Sequence, residues 1–138
     1  MSVFKAYDIR GIAGSELGVE FSERLGKAIA THLGAKCVSV VRDIRESSPS
    51  YHKAFVSGLR SAGADVIDLG ISTTGVLYRS TVDLPVDAAV AITASHNPPE
   101  YNGFKICQGK MPLGGEALQD IRRTYEAGDF RTGDGSYQ

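Results

Sequence analysis

The chain reads as an α/β domain with a largely parallel sheet. Apolar runs of strand length alternate with helical patterns of 10–15 residues, the signature of layered helices and strands. The run Val86–Ala94 is almost wholly apolar, as expected of a strand covered on both faces. The length of 138 residues suits one domain, and 42% hydrophobic with 22% charged residues is an ordinary globular composition.

Leu25, Ala28, Ile29, His32 and Leu33 recur at helical spacing, with Ser22 as the expected cap and Gly34 as the left-handed stop. Cys37–Val41 follows as a strand. Ser48-Pro49 opens a second helix whose buried stripe is Phe55, Val56, Leu59 and Ala62, ended by Gly63. Val66–Ile71 is a strand and Gly75–Val82 a helix. Phe104–Cys107 is a short strand placed after an Asn102-Gly103 turn. Leu118, Ile121, Arg122 and Tyr125 mark a last helix closed by Gly128. We assign residues 1–130 to the domain and 131–138, which have no apolar period, to a linker or frayed tail.

Fifteen Lys and Arg against 16 Asp and Glu give a net charge of −1, with no basic stripe for nucleic acid. No apolar stretch approaches a membrane span, and the N-terminus has neither the basic start nor the apolar core of a secretory signal. The expected location is cytoplasmic, with Cys37 and Cys107 as reduced thiols. Asp8-Ile9-Arg10 and Asp43-Ile44-Arg45 share three letters, but their flanks differ, and we read no repeat.

Chemistry concentrates in Thr93-Ala94-Ser95-His96-Asn97-Pro98-Pro99, directly after the most apolar strand. Ligands of open α/β sheets bind outside the carboxyl ends of strands, and two prolines would stiffen the turn. A Ser-His triad fits poorly, because neighbours in an extended segment point apart. A hydrolase elbow would need glycines at Thr93 and Asn97. Gly103 and Gly109 are separated by five residues rather than four, with Met111 after Lys110, which breaks the phosphate-loop pattern. His32, His52 and His96 lack metal-ligand spacing. There remains a serine whose neighbours Asn97, Asn102, Lys105 and the amides around Gly103 can donate to phosphate oxygens. A rigid structural turn is the competing reading.

The loop 93–98 resembles the phosphoserine loop of the α-D-phosphohexomutases, and Pro99–Lys105 continues it in the form of the phosphomannomutase/phosphoglucomutase branch. Phe4–Gly11 is similar to that branch's N-terminal signature, and Arg42–Ser48 to its R-D-x-R-x-S-S segment. The likeness runs from Phe4 to about Phe130. It implies domain I of a four-domain enzyme, a three-layer α/β/α unit with a mixed, mostly parallel sheet. It also implies that Ser95 is phosphorylated at rest and exchanges its phosphoryl group with a hexose phosphate through a 1,6-bisphosphate, which also activates the enzyme.

By the same likeness Lys105 stabilises the transferring group or helps move a proton. Tyr7 and Arg10 touch substrate or its phosphates, and His96 and Asn97 orient the loop and donate to the phosphoryl group. Asp43 and Arg45 stand behind the site or brace the next helix. Mg²⁺ is implied, with the phosphate on Ser95 as one ligand, but the D-G-D-G-D metal loop of the second domain is absent from this chain. The chain is therefore expected to bind Mg²⁺ and sugar poorly, to lack turnover without the other three domains, and to self-associate through surface they would cover.

Two departures stand out: Val41 precedes Arg42-Asp43 where the family has glycine, and Ser72-Thr73-Thr74-Gly75 replaces its P-T-P, which leaves that helix start open. Phosphoglucosamine or phosphoglucose mutases, and a non-catalytic anion- or partner-binding module, are the alternatives.

Overall fold

Ala88–Ile92 is buried at all five positions, so the strand it forms needs apolar cover on both faces. The computed structural model, which describes residues 2–138, supplies that cover as a three-layer unit. Its elements are β1 (Ile9–Ile12), α1 (Val19–Leu33), β2 (Cys37–Arg42), α2 (Ser48–Ser61), β3 (Asp65–Ile71), α3 (Thr74–Asp83), β4 (Ala88–Ile92), β5 (Tyr101–Gln108), β6 (Met111–Pro112) and α4 (Glu116–Ala127). On one face of the sheet, Val38, Val40 and Val90 meet Leu25 and Ile29 of α1, Phe55 and Leu59 of α2, and Leu118 and Ile121 of α4. On the other face Val41, Ala89 and Ala91 meet Leu77 of α3.

The strand order is β1-β5-β4-β2-β3, with β6 also on β5. β2 pairs in parallel with β3 and β4, while β5 is antiparallel to β4, β1 and β6. β5 therefore runs against all five other strands, which makes the sheet mixed but mostly parallel in direction. α1 and α2 cross at two glycines: a Cβ on Gly58 would lie 2.0 Å from Glu23 O, and one on Gly26 2.4 Å from Phe55 O. Close approach here depends on side chains that are absent.

Four local expectations need correction. Ser22 is not a cap: α1 begins a turn earlier from an extended Gly18, and buried Ser22 donates its Oγ hydrogen to Gly18 O at 2.8 Å. Asn102-Gly103 is not a turn. Both residues lie within β5 and pair with Gly11 and Arg10 of β1, a strand whose letters Ile-Arg-Gly-Ile show no hydropathic alternation although their burial alternates. α3 starts normally despite its missing prolines, because the Thr73 side chain accepts from Val76 N.

The fourth concerns the end of the chain, which does not fray. Ser136–Gln138 lies parallel beside β3, with Val66 N donating to Ser136 O and Gln138 N to Val66 O, both at 2.9 Å. Tyr137 donates to Asp68, which also holds His52 at 3.0 Å. Burial alone would raise the Asp68 carboxyl, but the hydrogen bonds from Tyr137 and Gly70 N–H and the nearby His52 hold it below its ordinary range.

Both cysteines are free, and burial pushes both thiols above their usual value. Among the described residues no helix is long and apolar enough to cross a membrane.

Candidate active site

The serine loop leaves β4 at its carboxyl end. Thr93 N donates to Gly103 O of β5 at 2.9 Å, which anchors the stem. Thr93 Oγ1 accepts from Ser95 N at 3.0 Å, and turn bonds follow from Asn97 N to Ala94 O and from Tyr101 N to Pro98 O. Ser95 has φ of 55°, and it is the single non-glycine residue with positive φ among the described residues. A left-handed serine costs energy, so its surroundings must hold it there. It is exposed, and Oγ makes no hydrogen bond within the described chain.

Two Asp-x-Arg segments flank this loop, and they are built alike. In each the arginine Nε donates to the aspartate two residues back: Arg10 to Asp8 at 2.9 Å, and Arg45 to Asp43 at 3.0 Å. The shared letters are not a fold repeat, yet they make the same local device. Arg10 then reaches the Asn97 side chain, its Nη1 donating to Oδ1 at 3.0 Å. Arg45 takes the loop backbone instead: Nη1 donates to Pro98 O and Tyr101 O, and Nη2 to Ser95 O and Asn97 O.

A buried polar chain supports Arg45 from below. Asp43 Oδ1 accepts from Ser48 Oγ at 2.6 Å, and Asn102 Nδ2 donates to the hydroxyls of Ser47 and Ser48. Asn102 Oδ1 accepts from Gly103 N. Asn102 and the Gly103 amide are thus committed inside the fold. They are not the phosphate donors that a turn at these positions would have offered.

Lys105 stands on β5 opposite Asp8, and its Nζ lies 3.4 Å from Asp8 Oδ2. Asp8 is only 4% exposed and bridges Lys105 and Arg10. Asp8 lies within the Phe4–Gly11 motif, whose likeness assigns it no role. The strand spacing of Asp8 and Arg10, which puts both on one face, was the available signal. Converting Asp8→Asn should leave two cations facing a neutral amide and cost about 2–4 kcal/mol. Urea denaturation checks this, and a midpoint equal to wild type would show the pair to be idle.

The remaining candidates are spread. His96 is exposed at the loop tip, and Tyr7 is 84% exposed, hydrogen-bonded to none of the others. Ser95 borders two concavities of about 270 and 520 Å³, the first also lined by Arg42, Ser72, Thr73 and His96, the second by Arg45, Asn97 and Pro99. A cavity of about 750 Å³ lies between α2, β3 and the 133–137 segment and contains no residue of the serine loop. No three His, Cys, Asp or Glu among the described residues come together to hold a metal. The donor set present does not fit Mg²⁺, which wants six oxygens in an octahedron.

The family model for phosphoglucomutase/phosphomannomutase, alpha/beta/alpha domain I, matches residues 1–132. A phosphomannomutase of Salmonella typhimurium is 43% identical over 132 residues, 94% of this chain and 29% of its own length. A phosphomannomutase/phosphoglucomutase of Pseudomonas aeruginosa is 41% identical over 140 residues, 99% of this chain and 30% of its own length. The crystal structure of a phosphoglucomutase/phosphomannomutase family protein from Burkholderia thailandensis superposes with a TM-score of 0.93 at 37% identity, over 99% of this chain and 32% of that one. The chain thus spans less than a third of the length of these relatives. A match over nearly all of its residues, joined to superposition at that level, makes the chain a member of the phosphoglucomutase/phosphomannomutase family, corresponding to alpha/beta/alpha domain I.

Proposed function

We propose that this chain is the catalytic-serine domain of a cytoplasmic phosphomannomutase/phosphoglucomutase. In the resting state Ser95 Oγ carries a phosphoryl group. A hydroxyl of a bound hexose monophosphate attacks that phosphorus, the Oγ–P bond breaks, and the proton of the attacking hydroxyl is given up as Oγ regains one. The product is a hexose 1,6-bisphosphate, whose other phosphate then returns to the serine. The same bisphosphate, supplied from outside, loads an unphosphorylated enzyme. Such transfer rests on positioning and charge rather than on covalent assistance from the protein.

One observation carries the reading: an exposed serine is held in a left-handed turn at the carboxyl end of a parallel strand, and its hydroxyl is committed to nothing else. Around it the roles divide. Asn97 Oδ1 is taken by Arg10, which leaves Nδ2 as the atom that donates to a phosphoryl oxygen. Arg10 and Lys105, fixed by Asp8, supply positive charge, and His96 donates from the tip. Tyr7, free on the surface, meets the sugar phosphate. Among the described residues only an oxygen of the serine phosphate would be offered to Mg²⁺, so its other ligands, and the loops that read the sugar, would come from polypeptide that the longer relatives possess. Mannose and glucose phosphates are the proposed substrates.

Incubating the protein at its natural length with glucose 1,6-bisphosphate should add one phosphoryl group. Peptide mapping should place it on Ser95, and mannose 1-phosphate should remove it. The 138-residue chain alone should show no mutase turnover. A protein that turns over while Ser95 stays unmodified would overturn the proposal.

A further inference from the structure

We propose that Arg45 is a positioning residue for phosphoryl transfer, acting solely through the backbone of the serine loop; this rests on the reading of Ser95 just given. A guanidinium has five N–H bonds, and here every one has an acceptor. Nε–H goes to Asp43 Oδ2, two go to Pro98 O and Tyr101 O, and two to Ser95 O and Asn97 O. None remains for a phosphate oxygen, which separates Arg45 from Arg10 on the other flank. The four carbonyls span both turns of the loop, so a single side chain fixes the serine and the segment that returns to β5.

The grip is itself immobilised. The Arg45 side chain is 12% exposed, and the Asp43 carboxylate that orients it is held by Ser48 Oγ and by Arg45 N. Ser48 and Asn102 are fully buried, and Asn102 passes the connection to Gly103, whose carbonyl receives Thr93 N. The stem, the crown and the return of the loop thus belong to one network rooted in α2 and β5. Lysine cannot replace this device, because three donors on one nitrogen cannot span four carbonyls and a carboxylate.

The test uses Arg45→Lys and Arg45→Ala. In the protein at its natural length both variants should lose roughly 100-fold in kcat, the scale expected when a reacting group shifts by about 1 Å, while KM stays within about threefold. Final phosphoryl occupancy of Ser95 should reach the wild-type level, more slowly, since the hydroxyl remains. In the 138-residue chain, hydrogen exchange at the Asn97 and Tyr101 amides should quicken at least about tenfold in Arg45→Ala, as their turn bonds open locally, with the Val90 amide unchanged.

Wild-type kcat in Arg45→Lys, or unaltered exchange at Asn97 and Tyr101, would overturn the proposal. Loss of protection throughout the domain in both variants would do so too, since Arg45 would then hold the fold rather than the loop. If the wild-type protein takes up no phosphoryl group, the reading of Ser95 fails, and exchange still decides whether Arg45 grips the loop.

Discussion

Replacing Ser95 with glycine is expected to stabilise the domain and erase phosphoryl uptake in the same variant. With φ at 55°, serine pays a left-handed penalty of order 1 kcal/mol or more that glycine does not. The greater freedom of glycine in the unfolded chain returns part of that gain. A net stabilisation of about 0.5–1 kcal/mol remains, or a Tm higher by roughly 2–4 °C. The loss of the Ser95 hydroxyl subtracts nothing from this, because Oγ makes no hydrogen bond within the described chain. Uptake from a 1,6-bisphosphate should fall to background, since no acceptor oxygen is left. Were the turn purely structural, glycine would be the better residue. Under the proposed function the strain is borne for the hydroxyl that accepts the phosphoryl group. Calorimetry and intact mass on one preparation decide the matter, and a lowered Tm would mean that the serine holds the turn after all.

Much of the fold is legible in hydropathy because helices such as α1 and α4 bury a stripe and stop at glycine. Leu25, Ala28 and Ile29 face the sheet, and Gly34 and Gly128 adopt the left-handed conformation expected of them. β1 is not legible, because Ile9–Ile12 includes an arginine and a glycine and finds its partner about ninety residues later in β5. For the same reason Asn102-Gly103 misleads: its local chemistry favours a turn, and pairing with β1 overrides it. The 131–138 segment is also opaque to periodicity. It is held by backbone ladders, by Arg131 donating to Ala62 O and Ala35 O, and by Asp68, none of which leaves a hydrophobic pattern.

The site divides the same way. Ser95, His96 and Asn97 are contiguous, so their density of polar groups after a buried strand is visible in the letters alone. Arg45 is not visible as a clamp, because four of its acceptors are carbonyls brought to it by the fold rather than by spacing. Asp8 lies between these cases. Its spacing to Arg10 could have placed both on one strand face, but Lys105 comes opposite only once β1 is known to pair with β5.

Gly103→Ala is expected to cost about 3 kcal/mol or more, the upper range for overpacking a buried position. Gly103 sits in β5 directly opposite Arg10 of β1. A Cβ there would lie 2.1 Å from Ile9 O, 3.0 Å from Arg10 Cγ and 3.1 Å from Thr93 O. Two of those three neighbours are backbone carbonyls, which cannot rotate away as a flexible side chain would. Relief requires β1 to move from β5, and that movement pulls Ile9, which is fully buried, out of the core. It also carries Asp8 from Lys105 and Arg10 from Asn97, so fold and site should fail together. Gly75→Ala is the contrast, because its Cβ would meet only Thr73 Oγ1 at 3.5 Å within a helix. That exchange should be neutral or stabilising by up to about 1 kcal/mol. If urea denaturation placed Gly103→Ala within about 0.5 kcal/mol of wild type, the ordinary range for harmless surface changes, the tight seam between β1 and β5 would be refuted.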